Sequence, residues 1–268
     1  MTDRLVMLGL RIYIVLAFGF IFAPFVTLIT FAFNDSRFPY LPWQGFTTKW
    51  FSALTDPAVI SVIENSLVVA FASASIAAPI GCAAAYFVNR WNFRGKNAYI
   101  GLIVAPPCTP LIILALTMLI YLRELGLAKT LFSVMLSHVV LTAPFAFGVM
   151  RMRLGDLDPN LEQAAWNLGA NEWRAVQTVI LPQAGAAAIA AFLLSMVVSW
   201  DEFIIAWFVS GLDVTLPVYL WVKFQGQISA HVNAIGTLSF GVSITIVMAI
   251  EFLVFRAGRR YRRDAHRI

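Results

Sequence analysis

A chain of 268 residues that is 60% hydrophobic and only 12% charged, with mean hydropathy +0.80, is not a water-soluble domain. Such domains are roughly 45–50% apolar and about 25% charged. The net charge of +5 sits largely beside apolar runs, which favours lipid headgroups over nucleic acid as its partner.

Five runs contain no Asp, Glu, Lys or Arg: Ile12–Phe33, Ser66–Val88, Ala98–Leu122, Thr130–Met150 and Val232–Ile250. A sixth, Gln183–Ser210, is interrupted only by Asp201 and Glu202. A bilayer core of about 30 Å needs about 20 such residues in a helix. The reading is therefore an all-α integral membrane protein with six transmembrane helices. They are expected over about 8–33, 62–88, 98–122, 128–150, 183–210 and 232–255, in a single membrane domain covering 1–268. The first run is too long for a signal-peptide core and no small-residue cleavage site follows, so it is expected to be retained. Asn34–Ser61, rich in proline and aromatics, reads as an ordered interfacial loop with Trp43 and Trp50 at headgroup level. Cys82 and Cys108 fall in or at the edge of apolar runs, with neither a disulfide framework nor metal-ligand spacing. His138 and Thr142, four residues apart in the fourth run, are expected to serve interhelical hydrogen bonding.

The larger share of the 19 basic residues lies at the two termini, in the loop RWNFRGK and in the stretch from Arg151. The positive-inside rule then places both termini and residues 151–182 in the cytoplasm.

That stretch is the only cytoplasmic loop long enough to hold structure. Asp158 can cap a helix and Pro159 suits its first position. Leu161, Ala164, Ala165 and Leu168 form one apolar stripe at helical spacing. Gly169 permits a left-handed stop, and Asn171 can cap a second short helix with Glu172 in its first turn. Pro182 is expected where that helix gives way to the fifth span. A helix–Gly–helix knuckle of this kind either inserts into another protein or lies on the membrane surface.

QAAWNLGANEWRAVQTVILP resembles the EAA loop of ABC-importer permeases, whose pattern is E-A-A, three residues, Gly, nine residues, Ile-x-Leu-Pro. Gln163, Ala164, Ala165, Gly169, Leu181 and Pro182 fall on it; Gln163 replaces the usual Glu and Val179 the usual Ile. NSLVVAFASASIAAPIGCAAAYFVNR and SHVVLTAPFAFGVMRMRL are similar to spans of the same permeases, so the resemblance covers most of residues 60–255. It implies a type I ABC importer permease fold in the bacterial inner membrane. It also implies that Glu162, Gln163, Ala164, Ala165, Leu168, Gly169, Ala170, Leu181 and Pro182 couple to a cytoplasmic ATPase. The implied partners are a homologous second permease, two ABC ATPase subunits and a solute-binding protein outside the membrane. SWDEFIIAWFVSG and HVNAIGT resemble the second permease subunit of spermidine/putrescine-type importers, a branch that also serves opines and aminoethylphosphonate.

The chain has no GxxxxGK[ST] to cradle phosphates. It is therefore read as a transport subunit without catalysis or cofactor, with ATP and Mg held by the partner ATPase. Asp201 lies roughly 28 Å along a helix from Pro182, towards the outer half. Ionisable residues within spans usually face a pathway or a partner. Ser195, Ser199 and Glu202 fall on one stripe and are expected to line the substrate path, with Asp201 turned to an adjacent helix or companion subunit. The alternative is that both acids sit at headgroups or pair across the dimer. Asn233 and Thr237, four apart in the last span, are further lining candidates or interhelical glue. A stand-alone secondary transporter is the rival class, but neither inverted repeats nor broken helices are visible in the sequence.

Overall fold

Proline and glycine, more than polarity, punctuate this helical chain. The computed structural model describes residues 2–158, 160–226 and 229–265, with side chains described except at 2, 3, 5 and 257–265. The helix-starting role expected of Pro159, and the side chains of the basic tail from Arg259, lie outside the described residues. Helices run in chain order as α1 (Thr2–Ala32), α2 (Pro57–Arg90), α3 (Lys96–Cys108) and α4 (Leu111–Glu124). Then come α5 (Leu131–Gly155), α6 (Asn160–Asn167), α7 (Glu172–Ala175) and α8 (Leu181–Asp201). The last are α9 (Ile204–Val209), α10 (Leu216–Gly226) and α11 (Ala230–Ala265).

Among the described residues, five stretches are long and apolar enough to cross a membrane unaided: Val6–Ala32, Pro57–Arg90, Leu131–Gly155, Glu172–Asp201 and Ala230–Arg256. The sixth expected span, 98–122, is not one straight helix. Lys96–Cys108 and Leu111–Glu124 meet at a bend of 100°. Pro106, Pro107 and Pro110 remove amide donors, and Pro110 pushes the residue before it out of the α region. Thr109 accordingly sits at φ −80, ψ 146, and its hydroxyl donates to Pro106 O at 2.6 Å. Each half is about 20 Å long, too short to cross alone.

The chain divides into two compact units: residues 1–60 with 220–241, and 61–219 with 242–268. In the first, α1 packs on the start of α11 through Phe25 and Phe240, stacked with centroids 4.6 Å apart. The loop after α1 is ordered around buried Asn34. Its Oδ1 accepts from Gln44 N at 2.9 Å and its carbonyl from Trp50 Nε1 at 2.7 Å. Trp50 also packs against His231, edge to face at 4.9 Å. Trp43 remains exposed.

In the second unit α5 is central and packs along α8. Its N-terminus carries a capping box between Thr130 and Ser133. Gly81 lets α2 approach α5 closely: a Cβ there would lie 2.5 Å from Ala143 O and 2.6 Å from Phe147 N. One apolar cluster joins Val69, Leu122, Val134, Leu141, Ile205 and Val209; a second joins Ala85, Val88, Phe147, Met150, Leu154 and Ile180. Helix α10 was not anticipated, being too short to register as a span. The strand of chain leading to it is fixed by Asn65 Nδ2, which donates to Val214 O at 3.1 Å, and by Leu216 N, which donates to Ser66 Oγ at 2.7 Å.

Candidate functional site

The segment 151–182 builds its own geometry from local rules. Asp158 Oδ1 accepts from Asn160 N at 2.9 Å and starts α6. That helix ends at Gly169, φ +85, where Gly169 N donates to Trp166 O at 2.9 Å and Ala170 N to Ala165 O at 3.0 Å. This pair of bonds is a Schellman stop, which needs the left-handed residue glycine supplies. Asn171 Oδ1 then accepts from Arg174 N at 2.8 Å and caps α7 with Glu172 in its first turn.

The exit differs from the sequence reading. Pro182 does not mark a break: α7 continues through a π-helical turn, Val176–Ile180, into α8, and Glu172–Asp201 forms one candidate span. A proline lacks an amide for the carbonyl four residues back and its ring crowds that carbonyl. Widening the preceding turn, with Leu181 N donating to Val176 O, accommodates it without a kink.

The expected apolar stripe of α6 is split. Ala165 is buried and Leu161 half-buried, whereas Ala164 is exposed and Leu168, just past the helix, is 89% exposed. Gln163, Leu181 and Pro182 are exposed too, and Ala170 is half-buried. Trp173 adds a further open ring at 66%. Glu162, in contrast, turns inward: Arg90 Nε lies 3.3 Å from its Oε2. A cavity of ≈ 350 Å³ separates α6 from the body of the unit, lined by Asn89, Arg90, Leu154, Glu162, Gln163 and Trp166 among others.

At the other end of α8 lies a groove of ≈ 600 Å³ bounded by Pro107, Leu111, Phe145, Val198, Asp201 and Glu202, with Phe203 at its edge. The two acids share it because the helix stops between them. Asp201 is the last residue of α8, and Glu202 is extended at φ −72, ψ 123. The continuous polar stripe expected through Ser195, Ser199 and Glu202 is therefore not formed. Ser195 and Ser199 are buried against α5: Ser195 Oγ donates to Thr142 O at 3.5 Å, and Ser199 Oγ lies 2.7 Å from His138 Nδ1. Both act as interhelical links.

Glu202 is also mostly sequestered. Its Oε1 accepts from Ile205 N at 3.0 Å and its Oε2 from Ala206 N at 3.1 Å, capping α9. His138 Nε2 lies 3.3 Å from the same Oε2 at ion-pair distance, without hydrogen-bond alignment. Asp201 is the accessible carboxylate, exposed and 2.9 Å from Ser243 Oγ of α11. It is turned to an adjacent helix as expected, yet remains open to the groove. Asn233 and Thr237 belong to the other unit. Asn233 is buried, and Thr237 Oγ1 donates to its carbonyl at 2.8 Å within α11.

The family described as binding-protein-dependent transport system inner membrane component matches residues 77–261, which include α6, Gly169, the π turn and the groove. The chain belongs to that family. This permease is a multi-pass inner-membrane transport subunit of the ABC-importer class, not an enzyme. It is 32% identical over 238 residues to the spermidine/putrescine transport system permease protein PotC of Escherichia coli strain K12, covering 88% of this chain and 90% of that one. It is 31% identical over 265 residues to the putrescine transport system permease protein PotI of the same strain, covering 96% and 94%. A probable molybdenum ABC transporter permease protein of Haloferax volcanii is 24% identical over 208 residues, covering 75% and 77%. Among solved structures, a bacterial alginate ABC transporter in complex with an alginate pentasaccharide-bound periplasmic protein superposes with TM-score 0.71 at 19% identity, covering 95% of both chains. An amino acid ABC transporter with histidines gives TM-score 0.60 at 19% identity, covering 79% of this permease and all of that chain. These likenesses carry the fold.

Arg90, counted in the sequence only for topology, and the His138–Glu202 pair were missed as site residues. Sequence spacing gave no signal for contacts that join residues 72 to 82 positions and 64 positions apart.

Proposed function

We propose that this permease forms half of the translocation path of an ATP-driven importer of polyamines such as spermidine and putrescine. The observation that carries the substrate class is Asp201, an exposed carboxylate at the end of a mostly apolar groove. A flexible aliphatic chain bearing ammonium groups suits that pairing: its methylenes bury along Val198 and Phe145, and one ammonium meets the carboxylate. The names of the relatives at 31–32% identity point to the same class. The remaining path-lining candidates, Asn233 and Thr237, are assigned a secondary role. Ser195, Ser199 and Glu202 shape the groove from behind.

Residues 158–182 are the docking element for a cytoplasmic ATPase. Leu168, Ala164, Leu181 and Pro182 present an apolar surface on a preformed, capped knuckle, and the exposed Gln163 keeps a polar contact without the usual charge. The whole chain acts as one membrane domain with both termini and this segment in the cytoplasm. A second homologous permease completes the path, two ATPases bind ATP and Mg, and a solute-binding protein delivers cargo from outside. When the ATPases close, the knuckle moves and carries the continuous helix Glu172–Asp201 with it, a rigid-body transmission. Asp201, at the far end of that helix, is then presented to one side or the other.

The test is uptake by proteoliposomes holding the full transporter, with its binding protein and internal ATP. ATP-dependent accumulation of spermidine or putrescine is expected. Accumulation of aminoethylphosphonate or an opine, with polyamines excluded, overturns the substrate class. Uptake by the chain alone, driven by an ion gradient, overturns the mechanism.

A further inference from the structure

Arg90 has no part in the function proposed above, yet its guanidinium grips both arms of the Gly169 turn. It is the last residue of α2, and its side chain is only 12% exposed. Nε lies 3.3 Å from Glu162 Oε2 on α6, and Nη2 lies 3.2 Å from Glu172 Oε1 on α7. The turn at Gly169 lies between those two helices. The guanidinium stands 4.7 Å from the Trp91 ring centroid and 4.9 Å from that of Trp166, which is itself on α6. Nη1 donates to Tyr86 Oη at 2.5 Å. A planar, delocalised cation can make two carboxylate contacts at its edge while rings meet its faces; an ammonium cannot do both.

Nothing lies within 4 Å of the position a Cβ would take at Gly169, so no side chain wedges the turn itself, and Arg90 bridges the helices on either side of it. Two further bonds knit the same end of the unit: Asn89 Nδ2 donates to Leu154 O at 3.3 Å, and Arg153 Nε to Gln183 O at 3.1 Å. They join α2 to α5 and α5 to α8. A push on α6 therefore has two routes, one through α7 into α8 and one through Arg90 into α2.

We propose that Arg90 is a positioning residue for coupling: it makes residues 160–175 a rigid lever and delivers their movement to α2 as well as to α8. This rests on the reading of residues 158–182 as the ATPase-docking element. An ion pair that merely helped the loop to fold would affect assembly but not the work obtained per nucleotide.

The experiment uses the complete transporter in proteoliposomes and reads substrate moved per ATP hydrolysed, with the thermal unfolding midpoint of each complex. R90Q is expected to lower that ratio about fivefold, the size of effect seen for changes within a coupled network, while the midpoint stays near the parent's. R90K is expected to recover less than half of the loss, and the swap R90E/E162R to recover more than R90E alone. An unchanged ratio in R90Q overturns the proposal, as does a ratio that falls only in step with the midpoint. Cross-linking of Leu168→Cys to a cysteine on the ATPase separates the two readings. A cross-link with an unchanged R90Q ratio sinks the lever alone; no cross-link in the parent sinks the docking reading and the lever with it.

Discussion

Ser243 Oγ on α11 lies 2.9 Å from both carboxylate oxygens of Asp201, while the very next acid, Glu202, turns towards His138. Two adjacent carboxylates thus have opposite employments. Asp201 retains exposed oxygen at the groove with one hydroxyl donor beside it. Glu202 uses both oxygens on backbone amides of α9.

Substitutions at Asp201 should therefore act on transport. Asp201→Asn is expected to lower polyamine uptake about tenfold, since losing one hydrogen bond to a charged group costs roughly 1.5–3 kcal/mol and 1.4 kcal/mol is a factor of ten. Ser243→Ala should cost less, because it leaves the charge in place. Uptake kinetics with loaded binding protein are the measurement. Parental rates in Asp201→Asn would remove this residue from the path.

Glu202 should act on stability. Glu202→Ala leaves two buried amide donors without their acceptor, each unsatisfied buried group costing about 1–3 kcal/mol. Glu202→Gln keeps one carbonyl acceptor and should fall between the parent and Glu202→Ala. His138→Ala removes a fully buried ring and its contact with Ser199 Oγ, a large-to-small change in a buried site that costs about 2–5 kcal/mol. Unfolding midpoints of the purified complex should rank parent, then Gln, then the two alanine variants. Glu202→Gln with a normal midpoint but abolished transport would move Glu202 into the path after all.

The contrast between these acids also marks what could be read in advance. The Gly169 stop was legible because its cause is local: a helical stripe, then the residue that tolerates φ +85. The capping of α7 by Asn171 followed from the same kind of rule. The break between Asp201 and Glu202 was not legible, because it lies in an apolar run with neither proline nor glycine beside it. What sets it is tertiary: His138, from α5, supplies the partner that lets Glu202 leave the helix. The bend at Thr109–Pro110 is a third case. Its three prolines were in plain view, but hydropathy alone runs smoothly across 98–122 and hides it.

Gly81 offers a check on the packing of α2 against α5. A Cβ there would meet Ala143 O at 2.5 Å, Phe147 N at 2.6 Å and Ala146 Cβ at 2.8 Å, two of the three contacts being backbone that cannot rotate away. Gly81→Ala is expected to destabilise the complex by about 1–3 kcal/mol, the usual cost of overpacking. Gly148→Ala, on α5 itself but with nothing within 4 Å of its Cβ position, is the control and should leave the midpoint unchanged. Equal midpoints for both variants would show that α2 and α5 do not approach as described.

At Gly169 the obstacle to substitution is conformational, since no atom crowds the position. A left-handed residue with a side chain costs roughly 1–2 kcal/mol, and asparagine tolerates that region better than alanine. Proline cannot reach φ +85 at all, and it removes the donor to Trp166 O. Transport per ATP hydrolysed should therefore fall in the order Gly, Asn, Ala, Pro, with the proline variant largely uncoupled and still inserted in the membrane. Insertion should survive because the apolar spans on either side are untouched. Side-by-side assays of uptake and hydrolysis in the assembled transporter check the order. Full coupling in Gly169→Pro would mean that the shape of this turn has no part in transmitting movement from α6 to α8.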